Sequence, residues 1–212
     1  MEIKDRIRVK AEELFWRYGI RSVSMDDIAT QLGMSKKTIY QYFADKDELV
    51  DAVINREINE MQHDCLDCSS KARDAVHEMF LTMEQIYEKI SNMNPMVLND
   101  LEKFHFESFQ KFMQYKNRFL LQVITNNLTR GIEEGLYREE LNVDVIARFR
   151  LESALMAFNM TIFPPNKYNL ANVSLEVMEH YLYGLASQKG HKLIQKYKQD
   201  QTKKPQNNAK SK

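Results

Sequence analysis

Apolar residues along this chain recur every three or four positions, the spacing of one helix face, and nowhere settle into the two-residue alternation of a strand. Ile3, Ile7, Ala11, Leu14, Phe15 and Tyr18 fall on a single face, and Gly19 is placed to stop that helix. Ser24-x-x-Asp27 is a capping-box-like start for a short helix lined by Met25, Ile28, Ala29 and Leu32 and ended by Gly33. Ser35 caps a third helix over about 36–43, and Asp45-x-x-Glu48 caps a fourth that runs to about residue 68. Longer helices are expected over about 70–91, from Pro95 onward, over 106–134, from Asn142 or Asp144 to about 163, and from Asn169 to about 188. Beyond Gly190 only Leu193, Ile194 and Tyr197 are large and apolar, so the helix is expected to extend a turn or two at most, with disorder past Tyr197.

Composition sharpens this picture in two respects. Gly and Pro together number ten in 212 residues, far below the usual ~12%, which fits an all-α chain with few turns. Net charge is zero overall, yet residues 189–212 hold eight Lys against one Asp, so the preceding body is mildly acidic. A neutral total leaves nucleic-acid binding open, because a contact patch needs only local charge. Two cysteines exclude a disulfide scaffold. No apolar run approaches the ~18 residues of a membrane span, and the charged start MEIKDRIRVK has no signal-peptide core. A cytoplasmic protein without membrane contact is therefore expected.

The stretch SVSMDDIATQLGMSKKTIYQYFADKDELV, residues 22–50, carries the chemistry. Two short helices joined at Leu32-Gly33-Met34-Ser35 form a helix–turn–helix, with Gly33 supplying the positive φ of the corner. At about 100° per residue, Ile39 and Phe43 define the inward direction. Lys37 and Gln41 then point away from the core, with Thr38 beside them and Tyr40 and Tyr42 to either side. Lys and Gln can hydrogen-bond base edges and Thr can meet a thymine methyl, while sideways tyrosines suit phosphates on the groove walls. Lys36 can reach past the helix end, and the helix start capped by Ser35 offers N–H groups to a phosphate.

Residues 7–53, including AEELFWRYGIRSVSM and MDDIATQLGMSKKTIYQYFADKDELV, resemble the DNA-binding region of the TetR family of bacterial transcriptional regulators. Gly19, Ile28, Ala29, Leu32, Gly33, Ser35, Thr38, Tyr40, Phe43, Lys46 and Leu49 stand where that pattern wants them. The resemblance implies that the helix after the turn reads DNA and that Ser24 and Lys46 touch phosphate. It implies further that the remaining helices bind a small molecule and dimerise. The expected organisation is a DNA-binding domain over 1–50, with the start of a connecting helix over 46–68, a helical ligand-binding and dimerisation domain over 51–190, and a basic tail over 191–212. The function expected is a repressor released from an inverted-repeat operator by a small apolar molecule. A helical sensor without DNA binding, or a helical-bundle enzyme, are the rival classes.

Residues 79–163 are rich in Met and aromatics, and Met83, Tyr87, Phe104, Phe109, Phe112, Met113 and Met156 are the candidate pocket residues. Phe149, Ala154, Ala157, Val177, Tyr181 and Leu185 are the candidate dimer contacts, from the last two long helices before the tail. Cys65 and Cys68 make a lone CxxC near His63 and His77, read as two uninvolved thiols rather than a metal or redox site. No cofactor or metal is expected. There is no phosphate-binding Gly loop, nucleophile elbow or H-E-x-x-H.

Overall fold

The computed structural model describes residues 2–203. Among them all regular structure is helical: α1 (Ile3–Tyr18), α2 (Met25–Leu32), α3 (Lys36–Tyr40), α4 (Lys46–Lys71), α5 (Ala75–Ile90), α6 (Met96–Phe104), α7 (Phe106–Tyr115), a π-turn at Lys116–Leu120, α8 (Leu121–Glu133), α9 (Val143–Met156), α10 (Leu170–Leu185) and α11 (Gln188–Lys203).

The local signals behave as side-chain chemistry dictates. The Ser24–Asp27 capping box is complete, with Asp27 N–H donating to the Ser24 hydroxyl oxygen and Ser24 N–H to the Asp27 carboxylate. Asp45, Asn142 and Asn169 cap α4, α9 and α10 through the same N3 amide. Asp74 caps α5, so the expected 70–91 helix divides at Ala72, with α4 reaching Lys71. Helix α9 stops at Met156 rather than near 163, because the Asn159 side chain accepts the Thr161 and Ile162 N–H groups and turns the chain ahead of Pro164. The 106–134 segment holds as one helical run interrupted by the π-turn.

Two large cores organise the described residues, with a smaller third cluster of Ile90, Ala157, Leu170, Ala171 and Val173. One large core gathers Ile7, Phe15, Ile28, Ile39, Phe43, Leu49 and Val53 under α1–α4 and continues into Val97 and Leu101 of α6. The second packs α5, α8, α9 and α10 around Tyr137, whose hydroxyl donates within reach of the Ala75 carbonyl and Asn127 Oδ1.

The C-terminal stretch corrects the expectation of disorder past Tyr197 as far as the described residues go. Helix α11 runs to Lys203 because Ile194 and Tyr197, three apart, enter the second core. Tyr197 also stacks on His77 and hydrogen-bonds Asp74. Gly190 allows this docking: a Cβ there would fall 2.1 Å from the Leu136 carbonyl oxygen. Within the basic segment Lys189 binds the Glu134 carbonyl and Lys198 pairs with Glu179. Residues 204–212 lie outside the described part.

Candidate nucleic-acid interface and effector cavity

The α2–α3 corner is built from one left-handed residue. Gly33 takes φ +63, where any Cβ would strain the backbone. Met34 N–H then closes on the Ala29 carbonyl at 2.9 Å. Ser35 caps α3 by accepting from Thr38 N–H at 3.1 Å, and its hydroxyl lies 2.8 Å from that of Thr38. Ile39 and Phe43 are sealed inside the core. Lys37 and Gln41 are exposed on the opposite side, and Tyr40, to one side of them, is 43% open to solvent.

Several expected contact residues are placed differently. Helix α3 ends at Tyr40 rather than near Phe43, and Tyr42 N–H closes a tight bond onto the Ile39 carbonyl at 2.9 Å. That turn swings Tyr42 against the core, half-buried, so it does not mirror Tyr40. Lys46 is not a free cation at the surface. Its ammonium donates to the Ile20 carbonyl at 2.6 Å, and burial lowers its pKa. Lys36 pairs with Asp26 at 2.7 Å in an exposed bridge that a phosphate could displace at little cost. The Ser24 hydroxyl donates to Asp27 at 2.6 Å within the cap.

A cavity of about 330 Å³ lies between the two large cores. Its wall combines Trp16 of α1, Ile54 and Ile58 of α4, Met79 and Ile86 of α5, Leu101 of α6, Phe112 of α7 and residues of α8–α10. Of the seven candidate pocket residues only Phe112 belongs to this wall. Tyr87 and Met156 face solvent, and exposed Phe104 lies under the Arg21 guanidinium, 4.9 Å from its ring centre. Met83 packs on the second core and Phe109 on the first. Met113 is half-buried outside the wall. Residue type suggested a pocket, but helical phase decides which side chains face it.

Polar groups at this wall are mostly paired. Glu57 meets Lys89 at 2.8 Å, Lys116 meets Glu152 at 2.8 Å, and Glu78 lies 3.6 Å from Arg130. Glu57 also crowds Glu12 and Glu60, the one group of three possible metal donors among the described residues. Arg8 and Arg56 bridge Glu12 and Glu60. Burial, then repulsion from Glu57 and Glu60, pushes the Glu12 carboxyl up to about 7.

The cavity wall and the α1–α4 core are linked through α6 and α7. Asn94 N–H, just ahead of α6, donates to the Trp16 carbonyl at 2.6 Å. Asp100 of α6 accepts from Arg21 N–H, and Asp51 of α4 takes Lys111 and Ser108 of α7. Trp16, Val97, Leu101 and Phe112 stand at or beside these links and also line the cavity.

Along α9, Val145, Phe149 and Met156 form an exposed apolar stripe, with Phe149 55% open. Of the candidate dimer residues, Phe149 and Ala154 are accessible and Val177 is half-buried. Ala157, Tyr181 and Leu185 are buried within this chain, which corrects their assignment. A four-residue apolar step marks a helix face but not which neighbour covers it. Burial raises both cysteine thiols, Cys68 to about 11, and Cys68 Sγ donates to Gln85 at 2.9 Å. High-pKa buried thiols are poor nucleophiles.

Among the described residues no helix is long and apolar enough to cross a membrane. The family model for bacterial regulatory proteins of the tetR family matches residues 7–53. An uncharacterised HTH-type transcriptional regulator of Bacillus subtilis, YvaF, is 36% identical over 92 residues, covering 42% of this chain and 47% of that protein. The HTH-type transcriptional repressor KstR2 of Mycobacterium tuberculosis is 22% identical over 142 residues, 66% of this chain and 71% of its own. The transcriptional regulator FadR of Bacillus subtilis, solved with stearoyl-CoA, has a similar fold, with a TM-score of 0.66 at 20% identity over 85% of this chain and 98% of that one.

Proposed function

The chain belongs to the TetR family of bacterial regulatory proteins, and from that premise we propose that it is a homodimeric repressor that a small, largely apolar molecule releases from an inverted-repeat operator. The observation that carries the DNA-binding part is the face of α3. Lys37 and Gln41 stand exposed away from the buried Ile39 and Phe43, with exposed Tyr40 to one side. A donor-rich helix face of this kind, presented on a Gly-cornered two-helix frame, suits the major groove. Lys37 and Gln41 would read base edges with Thr38 beside them, while Tyr40, Lys36 and the Ser24 and Ser35 caps meet backbone. In this reading Lys46 shapes the head through Ile20 and reaches phosphate only if that bond opens.

Release needs a ligand that binds the two states of the protein unequally. The links from α6 and α7 to Trp16, Arg21 and Asp51 give such a ligand a route to the head. An occupant that displaces Leu101 or Phe112 shifts the elements that hold α1 and α4. Typical coupling of this sort is about 1–3 kcal/mol. That FadR, a neighbour in fold, is solved with stearoyl-CoA and that KstR2 is named a repressor are in keeping with the reading. The α9 stripe around Phe149 supplies the self-complementary surface of a two-fold dimer. Light scattering with footprinting tests the proposal. The expected result is a dimer protecting a symmetric site; a monomer on an asymmetric site overturns it.

A further inference from the structure

The cavity wall contains a charge with no counterpart. Arg150 of α9 is 7% exposed, and its side chain lines the cavity. Its Nη1 has no hydrogen-bond partner, and no carboxylate lies within ion-pair distance of it among the described residues. Its contact there is the ring of Tyr181, 5.6 Å away, and the Tyr181 hydroxyl is itself buried without a partner. Other ionic groups of the wall differ: Glu57, Glu78, Lys89 and Lys116 all have opposite charges nearby, and Asp64 is half-exposed to water.

A buried guanidinium with a free N–H is expensive to leave unsatisfied. Beside it stands a free hydroxyl, and around both the wall is overwhelmingly apolar, with Met79, Phe112 and Leu151 among its residues. The missing partner is therefore an anion on a greasy body. Size narrows the choice, since about 330 Å³ stands at the small end of ligand pockets, roughly 300–1,000 Å³. That size suits one carboxylate on a medium hydrocarbon. The π-turn at Lys116–Leu120, which delivers Lys116 and Leu120 to the same wall, is a helix defect of the kind often found at functional sites.

We infer that the effector cavity takes an apolar monocarboxylate whose carboxylate pairs with Arg150 and accepts from the Tyr181 hydroxyl. The inference deepens the proposed function and rests on the cavity being the effector site. A guanidinium–carboxylate pair is charge-assisted, directional and strongest out of water, which makes Arg150 the determinant of headgroup choice and the apolar wall the determinant of body length.

Calorimetry on the free full-length protein, with decanoate and decanol as probes kept below their aggregation concentrations, tests the ligand class, and operator affinity measured with decanoate tests release separately. Decanoate should bind saturably and at least about tenfold more tightly than decanol, the scale of a hydrogen bond to a charged group. Arg150→Met should abolish that preference, and Arg150→Lys should restore part of it. Tyr181→Phe should weaken decanoate alone, by less than the Met variant does. Equal binding of the two probes to the unaltered protein, or failure of decanoate to bind, overturns the inference irrespective of how the variants fold. Decanoate binding that depends on Arg150 but leaves operator affinity unchanged would uphold the ligand class and refute release.

Discussion

Asp100, buried on α6, accepts a hydrogen bond at 2.9 Å from the backbone N–H of Arg21, a residue 79 positions earlier at the hinge between α1 and α2. Its second carboxylate oxygen is buried without a partner, and its charge acts on Lys46, which in turn holds the Ile20 carbonyl. One carboxylate thus fastens the α1–α2 turn to a helix that also lines the cavity.

Asp100→Ala should cost about 1–3 kcal/mol of stability, because it strands the Arg21 N–H. Asp100→Asn keeps an acceptor and should lose less. Urea unfolding measures both. Two neutral substitutions would show that this contact does not fasten the head.

The α3 geometry separates readers from positioners. Lys37→Ala and Gln41→Ala should each cost about 1–3 kcal/mol on the preferred site and relax base preference. Tyr40→Phe should weaken all sequences about equally. Binding selections on randomised DNA give the comparison. If Tyr40→Phe changes base preference while Lys37→Ala does not, the assignment is reversed.

The reading head was legible because its determinants are local. Ser24 and Asp27, Ser35 and Thr38, and Gly33 with its neighbours all act within a few residues of one another. The cavity was not legible, since its wall is assembled from helices as far apart in sequence as α1 and α10. Met and aromatic content drew attention to Tyr87, Phe104 and Met156, whose helical phase points them to solvent. Arg150 carried a usable signal. It stands between Ala147 and Leu151 on the buried stripe of α9, whereas Arg148 lies off it and pairs with exposed Asp144. In the C-terminal segment Ile194 and Tyr197, the i, i+3 pair that docks it, were legible, but nothing large and apolar after Tyr197 signalled that the helix runs on to Lys203.

Glu12 makes stability depend on pH. Its carboxyl, raised to about 7 from 4.5, holds a proton more tightly in the folded chain than in the unfolded one. Stability should therefore fall as pH rises from about 4.5 to about 7 and level off above, the reverse of an ion-paired carboxylate. Arg8 and Lys89 moderate this and Glu57 and Glu60 strengthen it. Denaturation of the unaltered chain and of Glu12→Gln across pH 4–8 isolates the effect. A constant difference between the two curves would contradict it.

Helix α11 should be structural. A chain ending at Ser187 loses Ile194 and Tyr197 from the second core, and each large apolar side chain exposed costs about 1.5–3 kcal/mol. Gly190→Ala should reproduce part of that loss, because its Cβ cannot fit against Leu136. Unchanged urea midpoints for both would show that the helix is dispensable.

Sequencing the genomic DNA retained by the purified protein, beside that retained by a Lys37→Ala, Gln41→Ala double variant, bears most directly on the account. The unaltered chain should enrich fragments that share one inverted repeat, and the double variant, folded to the same helix content, should lose that enrichment. An unenriched background for the unaltered protein, or the same repeat recovered by both, would contradict DNA reading by the exposed face of α3.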